Sequence, residues 1–342
     1  MRAVVLGGPG RLAVTDVDTP EPGPHEVLVR VTHTGICGTD LKIFTGAMPA
    51  ARPVIMGHEI AGEVVAGADS PGEVEGRVHQ GDRVLIDPVL YCGTCFDCDA
   101  GRTHLCRHGT VIGRETNGGC AEFVVAPRSH VFPLPDSIES RTAPLIQVLT
   151  TCLHGQRRAG IAPGQSVVVA GLGVSGQLHV QLAKARGARP VIGVSRSAWK
   201  RDLARELGAD LTVAPGEPGH QQVTAATGGH GADVVIESTG VVSSFAGALA
   251  MVRPGGTVLL FGIYTATEGT LPFYQLYFKE PTVIGARAAK GEDFPESIEL
   301  VARGQVTLSR LVTHVLPLGE LAQAIEMLKT DVDGRMKIIL EH

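Results

Sequence analysis

The chain has 342 residues, 44% hydrophobic and 19% charged, the balance of a globular protein long enough for two domains. A formal net charge of −5, the lack of any dense Lys/Arg run and an aromatic share of only 4% argue against a nucleic-acid partner. No run of about 18 apolar residues offers a membrane span, and Met1–Leu6 lacks the apolar core of an export signal, so the seven cysteines are expected as metal or catalytic thiols of a cytoplasmic protein.

Residues 1–148 read as short strands between Gly/Pro turns: Ala3–Leu6, Val27–Thr32, Ile60–Ala66, Arg83–Asp87 and Ala121–Ala126. That texture is all-β. From about 150 strands alternate with helices. Ser166–Ala170 is a short β-branched run of the kind found in buried parallel strands, and Val174, Leu178, Leu182 and Ala185 follow at helical spacing. Pro190–Val194 and Ala198–Leu207 repeat the pair, and Asp233–Ile236, Thr257–Phe261 and Thr282–Ile284 continue the strands. A doubly wound α/β domain is expected over 149–287. Helices near Pro295–Arg303 and Leu318–Lys329 and a strand Met336–Leu340 follow, and 288–342 is assigned back to the first domain.

Between the strand at 166–170 and its helix stands Gly171-Leu172-Gly173-Val174-Ser175-Gly176. This is a dinucleotide-binding turn in its required setting. Gly171 makes the tight turn, Gly173 admits the pyrophosphate, Gly176 lets helix and strand pack, and the free amides at the helix start hold phosphate. Binders of NAD place a carboxylate about 20 residues on, at the end of the second strand, for the adenosine ribose. Here that place reads Gly193-Val194-Ser195-Arg196-Ser197, without a carboxylate. Ser195 and Arg196 suit a 2′-phosphate instead, with Lys200 or Arg201 as helpers, which predicts NADP(H) over NAD(H).

Cys92, Cys95, Cys98 and Cys106 lie in a turn-rich stretch of about 88–110. Four thiolates at this spacing suit a closed, structural tetrahedral zinc site, with an iron–sulfur cluster as the alternative. Cys37 stands in Gly35-Ile36-Cys37-Gly38-Thr39-Asp40, and His58 and Glu59 stand in Gly57-His58-Glu59-Ile60-Ala61-Gly62. One thiolate and one imidazole are ligand types of an open catalytic zinc.

Together these motifs resemble the zinc-dependent medium-chain dehydrogenase/reductase (alcohol dehydrogenase) superfamily. The resemblance rests on Gly35–Asp40, Gly57–Gly62 with Val64, the four-cysteine lobe, Gly118-Gly119 before Ala121-Glu122-Phe123, Gly171–Gly176, Glu237-Ser238-Thr239-Gly240 and Lys337–Leu340. It spans the chain, and the Cys-Gly-Thr-Asp and His-Glu pairs are nearest the polyol, threonine and sugar dehydrogenase branch. It implies a GroES-like catalytic domain interrupted by a Rossmann domain. It implies catalytic zinc on Cys37 and His58, with Glu59 as a ligand or one that swings in during turnover. The third fixed position falls on Gln147, a neutral and weaker donor than the Cys or Glu of other branches.

By the same resemblance Thr39 takes the alcohol proton, Thr151 contacts the nicotinamide, and Thr239 and Lys337 serve the cofactor. Lys42 stands where the branch often carries a relay histidine. Asp40 and Glu122 are expected as supporting or structural residues, and Phe44, Ile112, Arg114 and Tyr264 as candidates for the substrate pocket. Cys120 and Cys152 are read as small buried residues, Trp199 as packing, and His33 and His154 as structural. The implied activity is hydride transfer between NADP(H) and a small alcohol or ketone, such as a polyol, sugar, aminocyclitol or amino alcohol, by a homodimer or homotetramer. Two other readings are a zinc-free NADPH-dependent reductase of activated double bonds and a catalytically retired binding homologue. The cysteines and His58 argue against the first, and the intact Thr39, Cys37 and glycine-rich turn against the second.

Overall fold

A computed structural model of the chain describes residues 1–67, 78–330 and 334–342. They divide into two units. One comprises Met1–Val148, Lys290–Arg303 and Leu308–His342, and the other Leu149–Ala289 and Gly304–Thr307. The division falls inside the helix Leu145–Ala159, where no turn residue marks a boundary, and the short return Gly304–Thr307 lies outside the expected limits of 149–287.

In the first unit the expected strands are present with shifted ends. The longest, Glu26–Ile36, continues past the predicted Thr32 up to Cys37. It pairs antiparallel with Glu59–Ala66 on one side and with the closing strand Lys337–Glu341 on the other. The register sets Gly35 opposite both Glu59 and Ile339, so residues 37, 59 and 337 meet at one end of the sheet. Alternate residues of these strands (Val27, Val29, Val31, Ile60, Val64) enter one core, with Val84, Ile86 and Val124. A second core holds Leu6, Ile43, Met56, Leu321, Ile325, Ile338 and Leu340. The strand Arg11–Asp16 and the helix Gly38–Thr45 were not foreseen. The strand's side chains are mostly exposed, and the helix is only eight residues long, too short for a period to show.

The second unit is a six-stranded parallel sheet in the order Leu211–Val213, Val191–Val194, Val167–Ala170, Ala232–Glu237, Val252–Leu260, Thr282–Gly285. Val167 and Val169 pack on one face with Val234 and Ile236, while Val168 packs on the other with Val235 and Val258. Two buried faces explain the unbroken apolar runs. From Val167–Ala170 the chain winds outward to one side, then returns to build the other half from Ala232–Glu237. The sheet therefore reverses between these two strands, and open sheets of this kind take ligands outside the carboxyl ends at that point.

Candidate functional site

Cys37 caps the helix Gly38–Thr45. Its Sγ accepts from the Thr39 amide at 3.4 Å, and the Asp40 carboxylate accepts from the Cys37 amide at 2.9 Å. This reciprocal cap satisfies helix-start amides with the residues of the Cys-Gly-Thr-Asp motif itself. The same cap holds the backbone of Thr39, half-buried, two residues from the thiol. Asp40 is fully buried, and its other oxygen lies 3.4 Å from His58 Nδ1. Burial works against a charged His58, but the Asp40 charge and hydrogen bond, followed by the Cys37 sulfur, outweigh it and hold the imidazole pKa well above its usual value.

The sulfur of Cys37, a ring nitrogen of His58 and a carboxylate oxygen of Glu59 all lie within 4.8 Å of one another. Sulfur, nitrogen and oxygen donors at this spacing fit a zinc ion, and Asp40 is placed to orient the imidazole. Glu59 is fully buried, and its Oε1 accepts from Lys337 Nζ at 2.6 Å, with Oε2 also in contact with the ammonium. Lys337, expected on the cofactor, thus places its charge on Glu59. The pair crosses directly over Gly35, where any Cβ would collide with Glu59 Oε2. A glycine is needed there for space, not for backbone conformation.

Cys92, Cys95, Cys98 and Cys106 form a second cluster. The sulfur separations are 3.5 Å for Cys92–Cys106, 3.6 Å for Cys95–Cys98, 3.7 Å for Cys95–Cys106 and 4.0 Å for Cys92–Cys98. Four sulfurs each about 2.3 Å from a central zinc would stand about 3.8 Å apart, so the cluster fits the ion. The thiols differ in acidity. A hydrogen bond from the Thr94 backbone lowers Cys92 to about 6, whereas burial and the bond with Cys95 raise Cys98 to about 12.

In the second unit Gly171 (φ 97°) ends its strand, and a Cβ there would meet Thr239 Cγ2 at 2.5 Å. Gly176 packs on the Gly171 carbonyl, leaving no room for a Cβ, while a Cβ on Gly173 would meet nothing within 4 Å. That open place, beside Leu172 and Val174 at the start of the helix Val174–Ala185, fits a pyrophosphate. Ser195 Oγ accepts from the Ser197 amide at 3.3 Å, and Arg196 is exposed. Arg201 holds the turn through the Ser195 and Arg196 carbonyls at 2.6 and 2.9 Å.

The remaining candidates scatter. Gln147 is buried in the first turn of its helix, and Thr151 follows one turn later in the second unit. Phe44 lies under the Lys329 ammonium, 5.2 Å from its ring centre, and Arg114 pairs with Glu115 at 2.6 Å. Ile112 lines a cavity of about 430 Å³ with Val5, Val54 and Phe123, which takes in none of Cys37, Thr39, His58 or Glu59. Tyr264 bonds Glu237 in the second unit at 2.6 Å. Two contacts were missed: Asp40 on His58 and Lys337 on Glu59. The Cys-x-x-Asp spacing of a capping box was a readable signal for the bond of Asp40 to the Cys37 amide, but not for its reach to His58. Nothing local announces either contact.

The profile of the alcohol dehydrogenase GroES-like domain matches residues 23–136, and that of the zinc-binding dehydrogenases matches residues 175–303. The chain is 33% identical over 329 residues to L-galactonate-5-dehydrogenase of Escherichia coli K12, covering 95% of this chain and 94% of that protein. It is 35% identical over 350 residues to L-threonine 3-dehydrogenase of Pyrococcus horikoshii, covering 100% and 99%. A crystal structure described as a zinc-binding dehydrogenase from Sinorhizobium meliloti 1021, bound to NADP, matches with a TM-score of 0.92 at 34% identity, over 100% of this chain and 99% of that one. Likeness that runs from end to end, through both profiles and in fold, makes this chain a member of the zinc-type medium-chain alcohol dehydrogenase family, dehydrogenases that act on CH–OH groups.

Proposed function

We propose that the chain interconverts a small alcohol and its ketone or aldehyde, a polyol, sugar, aminocyclitol or amino alcohol, using NADP(H) in preference to NAD(H). The observation that carries this reading is the convergence of Cys37, His58 and Glu59 within 4.8 Å beside the helix that bears Thr39. Cys37 and His58 would hold a catalytic zinc, with Glu59 or Gln147 completing the set, and the four-cysteine lobe would hold a structural one. Bound there, zinc supplies polarisation of a hydroxyl or carbonyl oxygen, and the nicotinamide supplies a hydride carrier. Asp40 Oδ1 fixes the His58 ring through Nδ1. Thr39 Oγ1 would relay the proton that leaves the substrate hydroxyl, accepting it while passing its own hydroxyl proton on toward solvent. Lys337 anchors the Glu59 carboxylate on the sheet, so Glu59 can ligate fully only as that ion pair loosens.

Gly171, Leu172, Gly173 and Val174 would bind the pyrophosphate, with Thr151 and Thr239 on the nicotinamide side. Ser195 and Arg196 would bind the 2′-phosphate, where a carboxylate would repel it. The test is a panel of polyols, sugars and amino alcohols with NADP⁺ and NAD⁺ in parallel, read at the nicotinamide absorbance. At least one hydroxylated substrate should turn over with NADP⁺ favoured by tenfold or more in kcat/KM, a threshold of about 1.4 kcal/mol. Turnover that favours NAD⁺ would refute the cofactor choice, and none with any substrate would refute the activity.

The family's self-association is assigned to the exposed edge strand Thr282–Gly285, with Phe273, Tyr274, Tyr277 and Phe278 beside it at 65–81% exposure. An unpaired edge flanked by apolar side chains is satisfied by a second copy around a two-fold axis. Sedimentation should find a dimer or tetramer; a monomer at micromolar concentration would refute it. No described helix is long and apolar enough to cross a membrane, and the cytoplasm is the proposed location.

A further inference from the structure

Glu237 ends the strand Ala232–Glu237, in register with Ala170 on one side and Leu260 on the other. It therefore stands where the sheet reverses direction. The side chain is fully buried, and among the described residues no Lys or Arg pairs with it. Its charge is met by four donors instead. Thr239 gives its amide at 2.8 Å and its hydroxyl, Gly240 gives its amide at 3.0 Å, and Tyr264 gives its hydroxyl at 2.6 Å. The first three lie in the loop that follows Glu237, and Tyr264 comes from the loop that follows the next strand. Burial and the Glu237 charge raise the Tyr264 pKa far above its usual value, so the phenol keeps its proton and donates.

The two loops also touch through their backbones. A Cβ on Gly240 (φ 71°) would stand 2.5 Å from the Ile263 carbonyl oxygen, and one on Gly262 would come closer still to the Gly240 amide. The first loop is tied in turn to the glycine-rich turn. Ser238 Oγ lies 2.8 Å from Ser175 Oγ, and Thr239 packs on Gly171. One buried carboxylate thus ties two loops directly, and through Ser238 and Thr239 the first of them is joined to the glycine-rich turn, all at the carboxyl ends of adjacent strands. In a sheet of this topology the adenosine end of a dinucleotide lies over the second strand, at Ser195-Arg196, and the pyrophosphate over the first. The nicotinamide half is left to the side on which Glu237 and Tyr264 stand.

We propose that the Tyr264–Glu237 hydrogen bond is a clamp that sets the shape of the nicotinamide half of the cofactor crevice, with Tyr264 a positioning residue for the cofactor. The proposal rests on the cofactor reading above. Tyr264→Phe removes one hydroxyl and leaves the buried carboxylate one donor short, so the loops 238–240 and 261–264 lose their side-chain tie. The dissociation constants of NADPH and of 2′,5′-ADP, the adenosine half alone, are to be measured by titration of the zinc-loaded full chain. The NADPH constant should rise about tenfold, as expected for one charge-assisted hydrogen bond, and that of 2′,5′-ADP should stay within about twofold. Glu237→Gln, which puts a donor among donors, should repeat the selective loss. A NADPH constant within twofold of the unsubstituted protein in a folded Tyr264→Phe chain overturns the clamp, and so does an equal weakening of both ligands, the mark of a general structural role. An unsubstituted protein that binds neither NADPH nor NADH overturns the cofactor reading itself and the clamp with it.

Discussion

Lys337→Met tests the centre of the site without touching a sulfur or an imidazole. The substitution keeps an unbranched apolar stem in a place 3% exposed but removes the ammonium that lies on both oxygens of a fully buried Glu59. A buried carboxylate that loses its ion-pair partner costs about 3–5 kcal/mol, because its desolvation is no longer offset. For a folding unit of about 200 residues, each kcal/mol lowers the melting temperature by about 2–4 °C, so a fall of about 6–20 °C is expected. Calorimetry of the metal-free forms of both proteins, in which no zinc can take up the Glu59 charge, measures it. The companion variant Glu59→Gln/Lys337→Met should recover more than half of the loss, since a neutral pair carries no stranded charge. A fall below about 2 °C in the single variant would show that the ion pair does not secure this end of the sheet. Failure of the double variant to recover would show that the loss came from packing around the lysine stem, not from charge.

Arg196→Asp should lower the kcat/KM preference for NADP⁺ over NAD⁺ by about tenfold or more, because a carboxylate replaces a charge-assisted contact to the 2′-phosphate; an unchanged ratio would exclude that contact. Metal analysis should find about two zinc ions per chain and about one after Cys98→Ser, while a count unaffected by the substitution would remove the four-cysteine site. Thr39→Val should lower kcat by about 10²–10³ at unchanged zinc content if its hydroxyl handles the proton, and full activity would exclude that role, since valine keeps the backbone amide that bonds Cys37. Asp233 links Ser166 and Arg253 at 2.7 and 2.8 Å. Burial tends to raise its pKa, but the Arg253 and Ser166 bonds outweigh that and lower it. A depressed carboxylate stabilises the fold above its unfolded pKa of about 3.8 and stops doing so as pH falls through the folded value. The urea midpoints of Asp233→Asn and the unsubstituted protein should therefore differ at pH 7 and begin to converge as pH falls below about 4; a gap that stays undiminished in acid would rule out the charge.

What could be read from the chain alone was whatever its own spacing encodes. Gly171–Gly176 declares its turn because strand, glycines and helix are contiguous, and Cys92–Cys106 fit within 15 residues, so local geometry nearly determines where their sulfurs go. The unbroken apolar runs of the second unit were legible because a parallel sheet buries both faces. Cys37, His58 and the family likeness could be named from motif alone, but not the neighbours that tune them. Lys337 meets Glu59 across 278 residues because the closing strand enters the sheet beside Glu26–Ile36, and a shift of one residue in that register would point the lysine to the other face. Tyr264 reaches Glu237 for a like reason, since the loop that carries it is placed by two strands packing side by side. Sequence specifies motifs whose atoms are close along the chain. Register and core packing, which depend on all the strands at once, decide which distant charges come to share one buried space.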